Sequence, residues 1–467
     1  MKTTDATLPR VLGPIDAVAV VVGSIIGSGI FLKVDTVARE LGSFGPILAV
    51  WAVAGVVTLC GSLALAELAA MLPQAGGPYV YLREAYGRPV AFLWGWTEFA
   101  IVRTGTLGSL ACGTVIYFDR FLQSLAARDA LPQWLAEFTP LSHPVQASLA
   151  IFAVILLTGI NIVGTRWSAY TQNVTTLLKV AFLLLIILGP FLLGKGSLSH
   201  LESAPGAAKT WWQLAQGLGP ALIAVYWAYD GWINIGPVAE EIREPQRNVP
   251  LGLTVGMLVV IAVYLGANVG YFLLMPIAVV AKTSTVAADA CGILIGGLGI
   301  SLAALGVMIS TFGALNSNLL AGPRIYFAMA RDRLFPATIR RVHPTFQTPA
   351  NAIVAQSLWA VLQIVLVAAF TTNPKEVFDW LTEFVVLGGT LFYAATVAAV
   401  YVLRRTRPDL DRPYRTWGYP VTPLLYLIVS AVVVTSMNWV QVAAVAGLLA
   451  VGGAAYLVFR RAGEPAV

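Results

Sequence analysis

Uncharged runs long enough to cross a bilayer recur along the chain, and charge collects in the segments between them. Ser43 to Ala66, Val145 to Thr165 and Phe384 to Leu403 are three such runs, each close to the ~20 residues that a spanning helix needs. The run from Thr416 to Phe459 is twice that length and divides near Ser436 to Trp439, where polar and aromatic residues suit a headgroup boundary. Two stretches are interrupted: Val11 to Arg39 and Trp211 to Glu241. Counting each as one span, the pattern predicts an all-α integral membrane protein with twelve transmembrane helices.

The first interruption is Gly23-Ser24-Ile25-Ile26-Gly27-Ser28-Gly29-Ile30-Phe31, three glycines and two serines inside an apolar helix. An unwound turn in hydrocarbon leaves N–H and C=O groups unpartnered, each costing several kcal/mol unless something polar meets them. Gly23 and Gly27 also fit a GxxxG packing face, which needs no ligand. The second interruption, Val225 to Trp232, places Asp230 and Gly231 in mid-span, about two hundred residues on. Paired breaks at equivalent positions point to a midplane site between two structural repeats, and they weaken the packing-only reading. The expected layout is a cytoplasmic segment 1–10, inverted five-helix repeats at 11–195 and 211–405 with broken helices 1 and 6, and two peripheral helices within 420–461.

Ionisable residues at membrane depth are expensive and default to paired or functional roles. Glu98 and Arg103 fall in helix 3, about Arg88 to Leu122, and Glu98 reads first as half of a buried ion pair. Lys179 stands in helix 5, about Tyr170 to Leu193, where it costs ~3 kcal/mol unless it meets carbonyls or a hydroxyl, or snorkels to the cytoplasmic headgroups. Helix 8, about Cys291 to Arg331 after a loop with Lys282 and Asp289, carries Ser310, Thr311, Asn316, Ser317 and Asn318; such residues face a cavity or hold helices together. Glu383 in helix 10 has no evident purpose.

Composition agrees: 58% of the 467 residues are hydrophobic and 11% charged, against roughly 25% charged in soluble domains. The net charge of +6 could suit nucleic acid, but the basic residues follow the loops. Twelve spans put eighteen Lys and Arg on one side and seven on the other, which predicts a multi-pass protein of the inner (plasma) membrane with both termini cytoplasmic and no nucleic-acid partner. Cys60, Cys112 and Cys291 lie in apolar stretches, so no disulfide-linked accessory subunit is expected. His143, His200 and His343 show no metal-ligand spacing, and the common hydrolase and nucleotide motifs are absent; the expectation is a non-enzyme without cofactor or metal. The first apolar stretch has no cleavage site after it and is expected to be retained.

The motifs GSIIGSGIF (Gly23 to Phe31), AELAAMLPQAGGPYVYLREAYG (Ala66 to Gly87), WAYDGW followed by VAEEIREPQRNVP (Val238 to Pro250), and ISTFGALNSNL through RDRLFP occur in one order. In that order the chain resembles the amino acid–polyamine–organocation superfamily, and within it the L-type amino acid transporters and their bacterial homologues. The resemblance implies two inverted five-helix repeats plus two peripheral helices, moving α-amino acids without sodium, often by exchange.

An α-amino acid offers a carboxylate and an ammonium, and two broken helices offer complementary poles. The N–H groups of Ser28, Gly29 and Ile30 suit the carboxylate. The carbonyls around Val22, Ile25 and Ile26, and around Tyr226, Trp227 and Asp230, suit the ammonium, with Gly27 and Gly29 letting the ligand approach the backbone. By the resemblance, Trp227 occupies the place of an aromatic gate over the substrate. Asp230 departs from the glycine or alanine of animal members; it either recognises a cationic side chain or, the favoured reading, hydrogen-bonds helix 1 and narrows the pocket. Also by the resemblance, Lys179 replaces a sodium ion, joining the carbonyls near Val22 and Gly23 to helix 8 at Ser310 or Thr311. The expectation is a sodium-independent exchanger or facilitator of small to medium neutral L-amino acids working by alternating access. The alternatives are a proton-coupled or cationic amino acid or polyamine transporter, and a non-transporting sensor.

Overall fold

A computed structural model of the protein describes residues 10, 12–74, 76–163, 166–202, 209–336, 338–339, 341, 343, 345–346 and 348–463. All but Arg10 of the expected 1–10 segment therefore lies outside the described residues. The described elements are helices, and the extended pairing among them is an isolated parallel bridge between Leu12 and Ile242.

Helix 2 occupies Phe44–Met71, as its apolar run predicts. The runs from Val145 and Phe384 lie in the helices His143–Val163 and Pro374–Thr406, the long run divides near Ser436 into Val421–Thr435 and Trp439–Gly463, and a further helix is Ala350–Ala368. Among the described residues nine helices are long and apolar enough to cross a membrane. The other three expected positions hold Arg166–Leu192, Trp211–Ala228 and Val421–Thr435.

Helix 8 departs from expectation. Asp289 and Cys291 belong to a separate helix, Val286–Ile295; the chain turns at Gly296 (φ 73°), and helix 8 itself is Gly297–Arg331. Hydropathy does not register that turn, because the residues on both sides of it are apolar.

Helix 1 starts at Pro14, whose missing N–H is no loss in the first turn, and the Asp16 carboxylate caps Gly13 N at 2.8 Å. The helix runs Pro14–Ile25, opens through residues 26–28, resumes as Gly29–Leu32, and steps again at Lys33 before Val34–Leu41. Helix 6 starts on a Thr210–Gln213 capping box and ends at Ala228. Beyond its break it continues as three short turns, Trp232–Asn234, Ile235–Val238 and Ala239–Glu241. Aromatic side chains brace this break: the Tyr229 ring lies 6.0 Å from Trp51 and 5.1 Å from Tyr264, and its hydroxyl donates to Trp51 O at 3.1 Å.

Candidate functional site at the two helix breaks

The breaks in helices 1 and 6 lie against each other, and two glycines permit the approach. A Cβ on Gly29 would fall 2.3 Å from Ala228 Cα, and one on Gly231, whose φ is 116°, would fall 2.4 Å from Ser24 O. Gly27 is different, because a Cβ there meets nothing nearer than Ile25 O at 3.8 Å. Gly29 is thus held against helix 6, whereas Gly27 has open surroundings; both were expected to let the ligand approach the backbone.

The carbonyls freed by the breaks are met from neighbouring helices. The Tyr264 hydroxyl, on helix 7 (Pro245–Leu274), sits 2.9 Å from both Ile25 O and Ala228 O and shares its proton between them. The buried Lys179 ammonium donates to Ile26 O at 3.1 Å. Lys179 was expected near the carbonyls of Val22 and Gly23, but Val22 O already accepts from Ile26 N at 2.9 Å in the last helical turn. Neither expected helix 8 partner is bonded to it: Thr311 Oγ1 lies 2.9 Å from Thr114 Oγ1, and Ser310 Oγ is buried without a partner.

A cavity of ≈ 60 Å³ lies at the junction. Ile25, Gly27, Ser28, Gly29, Trp227 and Asp230 line it, as the sequence suggests. Ile26 and Tyr226 do not: Ile26 turns its carbonyl to Lys179, and Tyr226 lines a second small cavity with Trp232 and Tyr426. The N–H groups of Gly27, Ser28, Gly29 and Ile30 have no hydrogen-bond acceptor among the described residues. Trp227 is tied to the helix 1 break, its Nε1 donating to Ser28 Oγ at 3.1 Å, and its ring meets Phe378 edge-on at 6.1 Å. The Asp230 carboxylate accepts from its neighbour Gly231 N at 2.8 Å and faces the Tyr393 hydroxyl.

Behind Phe378 stands a cluster of charges. Lys33 Nζ pairs with Asp379 at 2.6 Å and lies 5.0 Å from the Phe378 centroid. Lys375 pairs with the same Asp379 at 2.8 Å and with Asp35 at 3.3 Å. Asp35 and Lys375 also line a wider cavity of ≈ 560 Å³ with Arg39, Arg120 and Lys282. The ion pairs thus lie between that cavity and Trp227. Glu383 accepts from the buried Gln441 Nε2 at 2.5 Å, joining the helix Pro374–Thr406 to the helix Trp439–Gly463. Glu98 is the expected ion-pair member, bonded to Arg103 at 3.1 Å.

Sequence reasoning did not assign Tyr264, Tyr393, Phe378 or Lys33 to the site. A tyrosine in an apolar helix carries no positional signal, and Lys33 lies within the Val11 to Arg39 stretch, past the glycines and serines that mark its break. Among the described residues no group of three or more His, Cys, Asp or Glu side chains could hold a metal ion, and the three cysteines are buried free thiols.

Crossed, interrupted helices around a small polar cavity inside an apolar bundle define a membrane transporter. The profile of the amino acid permease family matches residues 12–449, and the chain belongs to that family, within the amino acid–polyamine–organocation superfamily. It is 31% identical over 428 residues to the serine/threonine exchanger SteT of Bacillus subtilis (strain 168), covering 91% of this chain and 90% of that protein. It is 29% identical to the human (Homo sapiens) b(0,+)-type amino acid transporter 1 over 442 residues, 93% of this chain and 83% of the relative. The human large neutral amino acids transporter small subunit 2 is 29% identical over 441 residues, with 92% and 76% covered.

Proposed function

We propose that the protein is a sodium-independent exchanger of small neutral L-amino acids, with twelve crossings in two inverted five-helix repeats and two peripheral helices, working by alternating access. The observation that carries this reading is the row of unbonded N–H groups from Gly27 to Ile30, of which Gly27, Ser28 and Gly29 line the cavity. Donors left open in the middle of a bilayer need an acceptor, and an amino acid carboxylate supplies one. Lys179 supports sodium independence: a fixed ammonium on Ile26 O does at the unwound carbonyl what a metal ion otherwise does. Trp227 closes the cavity on one side, and the Lys33–Asp379–Lys375–Asp35 ion pairs, placed by charge bias on the extracellular side, reinforce that closure.

Counterflow in proteoliposomes tests the reading. Preloaded amino acid should drive uptake of labelled alanine equally in sodium and in choline buffer, without alkalinising the medium, and Lys179→Ala should lose it. A sodium requirement, or an unaffected Lys179→Ala, refutes the role of the lysine. Substrate-driven alkalinisation makes the protein a proton-coupled transporter, and binding without flux makes it a sensor.

A further inference from the structure

One wall of the central cavity belongs to neither helix break. It is formed by Arg103 and Thr106 of helix 3 and Asn318 of helix 8, facing Asp230. Residues 98–102 form a π-helical turn, closed by Arg103 N donating to Glu98 O. Residues five apart stand roughly 140° apart around an α-helix, too far to pair; the wider i→i+5 turn stacks them. The turn therefore brings Glu98 under Arg103, whose Nε and Nη2 both reach Glu98 Oε2 at 3.1 Å. Gly322 leaves room for the arginine stem, since a Cβ there would lie 2.9 Å from Arg103 Cγ.

Arg103 Nη1 also donates to Asn318 Oδ1 at 2.5 Å, and Asn318 Nδ2 donates to Ala314 O at 2.9 Å. A guanidinium carries five N–H groups and a carboxamide two, so Arg103 and Asn318 keep donors beyond these bonds. Thr106 Oγ1 donates to Val102 O at 2.7 Å and can accept a bond besides. Opposite, Asp230 accepts from Gly231 N and retains lone pairs. A side chain between these surfaces meets donors on one side and acceptors on the other.

We propose that this wall is the side-chain subsite and that it selects amino acids with a short side chain able both to donate and to accept a hydrogen bond, a hydroxyl or a carboxamide as in serine, threonine and asparagine. The proposal rests on the reading of the helix breaks as the site for the α-carboxylate and ammonium. Arg103 disfavours a cationic side chain and Asp230 an acidic one. An apolar isostere fits by shape and leaves the wall unpaired, which is the strong form of discrimination. Asp230 then serves recognition as well as the turn.

The test is inhibition of labelled alanine counterflow in proteoliposomes by isosteric pairs, threonine against valine and asparagine against leucine. Threonine and asparagine should inhibit at concentrations at least about tenfold lower than their apolar partners. In Asn318→Leu and Thr106→Val the ratio, read against each variant's own alanine counterflow, should fall toward one or invert. Equal inhibition within each pair in the wild-type protein overturns the subsite and leaves the transporter reading intact. An unchanged ratio in both variants overturns the assignment to this wall. Absence of any amino acid counterflow overturns both.

Discussion

Of the two helix 1 glycines, Gly29 is held against helix 6 and Gly27 has open surroundings. In Gly29→Ala the new methyl would stand 2.3 Å from Ala228 Cα and 3.1 Å from Ala228 N, more than 1 Å inside the ~3.5–4.0 Å of ordinary carbon contact. Both obstacles are backbone, so no rotamer change relieves them. Helices 1 and 6 must part, which stretches the bonds from Tyr264 to Ile25 O and Ala228 O, both 2.9 Å, and the Trp227 bond to Ser28, 3.1 Å. Overpacking of this kind costs about 1–3 kcal/mol, and weakening the shared tyrosine bonds adds to it. In Gly27→Ala the methyl enters open space, 3.8 Å from Ile25 O. Purified Gly29→Ala should melt several degrees below wild type and exchange poorly, whereas Gly27→Ala should melt with wild type and show a raised KM for every amino acid. The assay is a detergent thermal melt paired with proteoliposome counterflow on one preparation. A Gly29→Ala protein with wild-type melting refutes the close contact between the breaks, and unchanged KM in Gly27→Ala refutes the ligand-facing role of that position.

Tyr264→Phe leaves two buried carbonyls with no donor and should destabilise the protein by about 1–3 kcal/mol, read as a lowered melting temperature with alanine KM changed less than by Gly27→Ala. Trp227→Phe and Ser28→Ala should each raise KM, and the double variant should show a coupling of about 1 kcal/mol; additive effects would mean that the Trp227 to Ser28 bond is not used during transport. Asp379→Asn strands Lys33, which is 2% exposed, and should cost more stability than Lys33→Met combined with Asp379→Leu, because a buried charge without its partner is worse than no pair. A double variant that melts below the single one contradicts that ordering.

The chemistry of this protein is written locally, and the sequence therefore carries much of it. Apolar run length places Phe44–Met71 and His143–Val163 within a few residues, because a bilayer imposes one length on every span. Glycines and serines mark the first break, and an acid beside a glycine marks the second, because hydrocarbon tolerates such residues only where the helix opens on something polar. Lys179 stands out for the same reason. Tertiary structure decided which groups meet. Lys179 reaches Ile26 O rather than Val22 or Gly23, since a carbonyl's availability depends on where the last helical bond closes. Gly27 and Gly29 look alike in the chain, and only the position of Ala228, about two hundred residues away, distinguishes the crowded glycine from the open one. Tyr264, Phe378 and Tyr393 carry no local signal, because their part comes from what lies across from them. The pairing of Glu98 with Arg103 required a π turn that hydropathy and spacing do not reveal. Sequence fixes where a backbone must open, since that cost is paid residue by residue; packing fixes which partner fills the opening, since that choice is made between distant segments.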